Sequence, residues 1–164
     1  MATIGVGSGN YIRPQGKSFI KRWLVDTSQT VRIGDPLVLS TDSGEENRVK
    51  VSGADPTTDR GFVGFAAEAI TTTATHSATA DRILVWIPTA DNRFVVHYAD
   101  AQAPALSDIG VEYGIVNDST NNIWRLDDTE TTAKIFRVLE LLDGTDTNGR
   151  AVVHVLAPER LYFD

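Results

Sequence analysis

The sequence predicts an all-β protein: a compact β-barrel or sandwich of about eight to ten short strands, with an extended N-terminal arm and at most one or two short helical turns. Short apolar runs rich in Val, Ile, Phe and Trp recur from Ser18 onward. They are separated by clusters of Gly, Asp, Asn, Ser and Thr, which favour turns. The length of 164 residues fits one domain with an ordinary hydrophobic core.

Residues 1–17 are predicted to form the extended arm, and residues 18–164 the single β-rich domain. Gly5, Gly7 and Gly9 alternate with other residues and Pro14 follows them, a composition that disfavours a regular element. The glycines do not form a dinucleotide-binding motif, because such a motif follows a strand and opens a helix.

The predicted strands alternate with turn-forming clusters along the rest of the chain. In chain order they are Phe19–Val25, Pro36–Leu39, Arg48–Val51, Phe62–Glu68, Arg82–Ile87, Arg93–Tyr98, Gly114–Val116, Ile123–Leu126, Ala133–Leu141 and Ala151–Leu156.

Residues 133–142 fit both a strand and a helix. Ile135, Val138, Leu139 and Leu142 have the spacing of one helical face. We favour the strand, because the Asn-Gly pair at 148–149 and the apolar run after it indicate a hairpin partner. Between Ala99 and Gly110, a single helical turn over residues 106–109 is compatible with the sequence.

Several predicted strands are apolar on both faces. In residues 82–87, Ile83, Val85 and Ile87 alternate with Leu84 and Trp86. Such a strand is buried twice, by a second layer of the chain, by a covering loop or by another subunit. Burial within the chain is the interpretation we favour.

The charge of the protein is unevenly distributed along the chain. The net charge is -7, but residues 1–25 contain Arg13, Lys17, Lys21 and Arg22 and no acid, which leaves -11 for the remainder. The acidic balance argues against a general nucleic-acid-binding protein. The basic N-terminal part is interpreted either as a docking element or as a strand edge protected by charge.

Other function classes are excluded or disfavoured by what the sequence lacks. It has no cysteine, which excludes disulfides, thiol nucleophiles and thiolate metal sites. No apolar run reaches the ~20 residues needed to cross a bilayer, so we expect no membrane partner. No secretory signal is recognisable at Met1, so a cytoplasmic site of assembly is expected.

The residues that catalysis would need are not grouped in the sequence. His76, His97 and His154 lie far apart and outside any metal-binding spacing. His97 and His154 are predicted as partly buried, hydrogen-bonded imidazoles in strands, and His76 as a loop residue. No serine lies in a nucleophile motif. We therefore expect no enzymatic activity, no cofactor and no metal.

The acidic clusters also have a structural interpretation. Residues 143–149 place oxygen ligands at alternate positions, as in a calcium loop, but the bidentate glutamate that completes such a loop is absent. A hairpin turn explains the same residues. Glu68 and the pairs Asp55/Asp59 and Asp127/Asp128 lie at predicted turns or strand ends, where solvated acids are common.

The candidate contact residues come from the N-terminal region and from the tryptophans. Large aromatic residues and arginine dominate the binding energy of most interfaces. The candidates for contacts with a partner or with another subunit are Ile4, Tyr11, Ile12, Arg13, Lys17, Phe19 and Trp23, with Trp86 and Trp124 as further interface aromatics for which a core position is favoured.

Four motifs follow the N-terminal arm in a fixed order. They are Val-Arg-Ile-Gly-Asp-Pro-Leu-Val-Leu at 31–39, Gly-Phe-Val-Gly-Phe-Ala-Ala at 61–67, Asp-Arg-Ile-Leu-Val-Trp-Ile-Pro at 81–88 and Ser-Asp-Ile-Gly-Val-Glu-Tyr-Gly at 107–114. In this order the chain, from about Ile33 to its C-terminus, resembles the head decoration, or capsid cement, proteins of tailed double-stranded DNA bacteriophages.

The resemblance implies a small β-rich protein, commonly trimeric, on the outer surface of the virion capsid. Its implied partners are the major capsid protein and other copies of itself, with no direct nucleic-acid contact. Such proteins clamp neighbouring capsid subunits, often through an N-terminal arm, and no catalytic residues are implied.

Two other function classes stay open at this point. A phage tail or fibre component, or a carbohydrate-binding β-module, would present tryptophans and tyrosines in one exposed row. A small β-fold enzyme such as a nucleotide hydrolase would bring two or three acids together around a metal ion.

Overall fold

The computed structural model describes residues 11–44, 47–53, 61–75, 80–130 and 132–156. They form thirteen β-strands and a single 3-10 turn, Leu106–Asp108, which confirms the predicted all-β class. The strands are β1 Arg13–Gln15, β2 Phe19–Val25, β3 Thr30–Val31, β4 Pro36–Leu39, β5 Arg48–Val51, β6 Phe62–Ala66, β7 Ile70–Thr71, β8 Arg82–Ile87, β9 Arg93–His97, β10 Glu112–Asp118, β11 Ile123–Asp127, β12 Phe136–Leu141 and β13 Arg150–Val155. Within these ranges no helix has the length and apolarity to cross a membrane.

The strand number exceeds the predicted eight to ten because three short strands have little sequence signal. β3 and β7 contain two residues each and pair only with one another. β1 contains Pro14, and the expectation that glycines and proline would exclude a regular element is wrong for residues 13–15. An edge strand tolerates proline because one of its sides makes no ladder hydrogen bonds.

The ambiguous segment 133–142 is a strand from Phe136 to Leu141, paired with β13 as a hairpin. The pairing register shifts between Val138 and Glu140. A bulge of this kind breaks the alternation of inward and outward side chains. It therefore explains why the apolar spacing of this strand resembles that of a helix.

The first half of the chain builds a small closed barrel in the order β2-β5-β4-β6-β8. Its interior is a continuous apolar cluster that is almost inaccessible to solvent. The members of this cluster are Val25, Val31, Leu37, Val49, Val63, Ala66, Ile83, Val85 and Ile87.

The second half of the chain builds a six-stranded antiparallel sheet, β1-β9-β13-β12-β10-β11. The sheet curls until Tyr98, just beyond β9, bridges Leu126 of β11, where the Ala99 amide donates to the Leu126 carbonyl at 2.8 Å. Strand β1 pairs with residues 93–95 of β9. It therefore covers the part of the β9 edge from which β11 has diverged.

A second apolar cluster lies between the outer face of the barrel and the inner face of the sheet. Phe65 of β6 packs its ring 5.1 Å from that of Phe94 and 5.7 Å from that of Phe136, measured between centroids. Trp86 of β8 also packs against this cluster. Strand β8 therefore lines the barrel on one face and, through the half-buried Trp86, packs within the chain on the other, in line with the favoured interpretation.

The turn before β4 holds the two residues that precede β1. Gly34 has φ +85°, and a Cβ at this position would lie 2.7 Å from Tyr11 Cβ and 2.9 Å from the Ile12 nitrogen. Only glycine allows this approach. The contact holds residues 11–12 against the body, with the Ile12 side chain fully buried in the cluster between barrel and sheet.

We expect Gly34→Ala to destabilise the protein more than Gly16→Ala. Gly16 has the same φ of +85° but open space where its Cβ would lie, so its substitution carries only the left-handed backbone cost of about 1–2 kcal/mol. Gly34→Ala adds the clash with residues 11 and 12. Urea unfolding of both variants measures the difference, and equal losses would contradict the close-approach argument.

Candidate interaction surface

The predicted contact residues separate into buried and accessible groups. Ile12 is fully buried and Trp124 is 2% exposed, so both are core residues, and the assignment of Ile12 as a contact residue is corrected. Trp124 follows the core interpretation that the sequence favoured for it. Ile4 lies outside the described residues.

Tyr11 and Trp86 form one half-buried aromatic contact. Their rings are stacked at 6.4 Å between centroids and 17° between planes. Trp86 lies directly across the β2–β8 ladder from Ile20. Tyr11, the first described residue, therefore stacks on the cross-strand neighbour of the exposed Ile20.

The N-terminal half of β2 is the most exposed strand segment that carries large apolar side chains. Phe19 is 56% and Ile20 is 47% exposed, and Lys21 and Arg22 are also exposed. The Lys21 ammonium lies 4.8 Å from the ring centroid of half-buried Trp23. Strand β2 thus presents apolar and basic groups side by side.

These residues belong to a stretch that we call the basic segment, residues 13–22. It contains Arg13, Lys17, Lys21 and Arg22, all exposed, and no acid. Arg13 lies on β1 and Lys17 lies in the connection to β2. Lys17 and Phe19 were predicted as contact residues, but Ile20 and Arg22 were not. The break in alternation, from two apolar to two basic residues, was the available signal.

A second exposed apolar group surrounds the 3-10 turn. Leu106 is 76% exposed, Ile109 48% and Val111 38%. The turn is held from within by the Asp108 carboxylate, which accepts hydrogen bonds from the Tyr98 and Tyr113 hydroxyls at 3.1 and 3.0 Å. Burial, followed by the contact with Asp108, raises the pKa of Tyr113 to about 12.

A pocket of about 330 Å³ lies beside the end of β10, lined by Asp100, Asn117, Asp118, Ser119 and Arg125 among others. The guanidinium of Arg125 is buried and binds Asp100 at 2.7 Å and also Asp118. Burial opposes ionisation of Asp118, but hydrogen bonds from Asn121 and the charge of Arg125 outweigh it and lower its pKa. These charges are used to hold the β10–β11 hairpin.

The candidate groups for catalysis are dispersed in the described part of the chain. His97 is buried with Nδ1 3.0 Å from the Asn148 carbonyl, and burial lowers its pKa, so the predicted hydrogen-bonded imidazole is confirmed. His154 is half-buried on β13. His76, Asp55 and Asp59 lie outside the described residues.

The acidic turns that suggested metal or paired-acid chemistry bind protein groups instead. Both carboxylate oxygens of Asp143 are engaged by the Arg150 guanidinium at 2.8 Å. Asp127 accepts hydrogen bonds from Thr129 and from the Gln102 amide. Among the described residues, no three His, Cys, Asp or Glu side chains are grouped so as to hold a metal ion.

The described tryptophans and tyrosines do not form the exposed row that a carbohydrate-binding surface needs. Tyr98, Tyr113 and Trp124 are buried. Tyr11, Trp23 and Trp86 are half-buried, and two of these stack on each other.

Asp35 follows Gly34 in the turn that holds residues 11–12. Its side chain is almost completely buried and accepts the Arg32 amide at 2.7 Å. Burial raises the pKa of Asp35 from 3.8 to about 6, although the Arg32 amide and charge act against the shift.

No protein-family model and no curated protein matches the chain.

We expect Asp35→Asn to change the pH dependence of stability. Because the pKa is raised in the folded state, folding favours the protonated acid, and this stabilisation is lost as the pH rises through about 6. The stability of the wild type relative to Asp35→Asn should fall by about 2 kcal/mol from about pH 4.5 to 7.5. Urea unfolding of both proteins measures this difference, and a pH-independent difference would contradict it.

We expect Asp118→Asn to cost about 3 kcal/mol of stability, because it leaves the buried Arg125 guanidinium without its buried counter-ion. Asp100→Asn is the matched control, since Asp100 contacts the same guanidinium with a side chain 71% exposed. Its loss should stay below about 1 kcal/mol. Similar losses in urea unfolding would show that burial of the partner does not decide the effect.

Proposed function

We propose that this protein is a phage capsid decoration protein that binds the outer surface of the head and stabilises contacts between major capsid protein subunits. The observation that carries the proposal is the basic segment with its exposed apolar pair, Phe19 and Ile20. Exposed apolar groups beside charges of one sign are typical of a surface that binds another protein.

The arrangement of the chain supports a binding role. Most of the buried apolar residues of the described chain belong to the two apolar clusters. The described acids of the turns bind neighbouring groups, as Asp127 and Asp143 do. Of the two exposed apolar groups described above, we assign the partner contact to the one on the basic segment, because it lies beside several positive charges.

The order of sequence motifs supplies the identity of the proposed partner. It resembles that of capsid decoration proteins, for which the major capsid protein and a trimer of the decoration protein itself are expected. Sedimentation equilibrium of the purified protein tests the trimer, and a monomer at micromolar concentration would contradict it.

We expect the purified protein to bind saturably to capsids that lack it. Lys17→Glu should reduce the affinity roughly tenfold, since it reverses a charge within the basic segment. Lys134→Glu makes the same charge change at another exposed position and should bind within about twofold of the wild type. Co-sedimentation with capsids measures both, and absence of wild-type binding would overturn the proposed function.

The contribution of the arm needs a truncation that leaves the fold intact. Removal of residues 1–17 would delete Ile12 and β1, which belong to the core and to the six-stranded sheet. Removal of residues 1–10 leaves both in place. We expect this shorter truncation to weaken capsid binding at least tenfold in the same assay; undiminished binding would exclude the arm as a contact element.

A further inference from the structure

In the described part of the chain, one backbone edge of strand β2 has no strand partner in its N-terminal half. Strand β8 pairs with residues 19–24 on one side, but β5 pairs on the other side only with Leu24 and Val25. Among the described residues, none pairs with Ile20 or Arg22 on that second side. As far as the described residues go, the barrel is therefore closed at one end of β2 and open along the other.

The direction of the backbone groups on this edge follows from the neighbouring hydrogen bonds. The Val25 amide donates to Asp81, on the β8 side, and the Asp26 amide donates to Val49, on the β5 side. Backbone groups of successive residues alternate between the two sides of a strand. Ile20 and Arg22 therefore direct their N–H and C=O groups to the open side.

An open edge of this kind is a template for another strand. The side chains around it define which strand fits. Phe19 and Ile20 offer apolar surface, while Arg22 adds positive charge at an exposed position. Electrostatic complementarity selects an added strand that carries carboxylates.

A second copy of the same edge is disfavoured in one register. Antiparallel pairing of two β2 edges about Lys21 would place Lys21 opposite Lys21, and like charges directly opposite each other are destabilising.

We propose that the open edge of β2, Phe19–Trp23, accepts an extended acidic segment of the major capsid protein as an added strand. Main-chain hydrogen bonds to Ile20 and Arg22 supply the pairing. A carboxylate opposite Arg22 and an apolar residue opposite Ile20 supply the specificity. The inference rests on the proposed function and adds a contact made by the body to any made by residues 1–10.

The test separates the backbone of Arg22 from its side chain. Arg22→Ala removes the charge and keeps the outward N–H, whereas Arg22→Pro removes both. Circular dichroism and urea unfolding establish that each variant is folded. In co-sedimentation with capsids that lack the protein, we expect Arg22→Ala to bind a few-fold more weakly than the wild type, and Arg22→Pro at least tenfold more weakly than Arg22→Ala.

The possible results separate the two proposals. If the wild type does not bind capsids, the proposed function fails. If the wild type binds and Arg22→Pro binds within about twofold of Arg22→Ala, the added-strand proposal fails while the function stands. If Arg22→Pro does not fold, amide hydrogen exchange of wild-type residues 19–23 decides: slower exchange on the capsid supports strand addition, and unchanged exchange overturns it.

Discussion

The packing of Phe65 against Phe94 and Phe136 joins the two halves of this protein. Strand β6 lines the barrel with Val63 and Ala66 and presents aromatic rings to the sheet from its other face. Neither half buries its apolar surface alone. The barrel carries aromatic side chains on its outer face, and the inner face of the curled sheet covers them. Ile12 is buried in the same cluster, so the residues just before β1 also depend on this contact.

The acidic and the basic residues have different roles, which the net charge of -7 does not show. Many of the described acids hold turns and hairpins: Asp108 binds two tyrosines, Asp118 binds Arg125, and Asp143 binds Arg150. Such acids contribute to the fold and offer little of their charge to a partner. The basic segment, in contrast, keeps its charged side chains at the surface. The uneven distribution along the sequence therefore marks a boundary between structural charge and surface charge.

The sequence was sufficient for the fold class because strand and turn residues alternate from Phe19 onward, and strands such as Arg82–Ile87 were predicted with their observed bounds. It was insufficient for β1, whose pairing with β9 depends on residues about 80 positions away. Burial of Ile12 was missed for the same reason, since the space it fills is created by Gly34. The open edge of β2 was also beyond prediction, because it depends on how far β5 follows β2 around the barrel.

Tyr11 is held against Gly34, so the first described residue has a fixed position on the body of the protein. Ten residues precede it, and an extended chain of that length spans at most about 33–36 Å. Every contact that those residues make lies within that radius of the body. If the proposed function holds, binding of the body to a capsid makes any capsid contact of residues 1–10 an intramolecular one, with an effective concentration set by that length. Two individually weak contacts joined in this way would dissociate slowly without a large interface on either one.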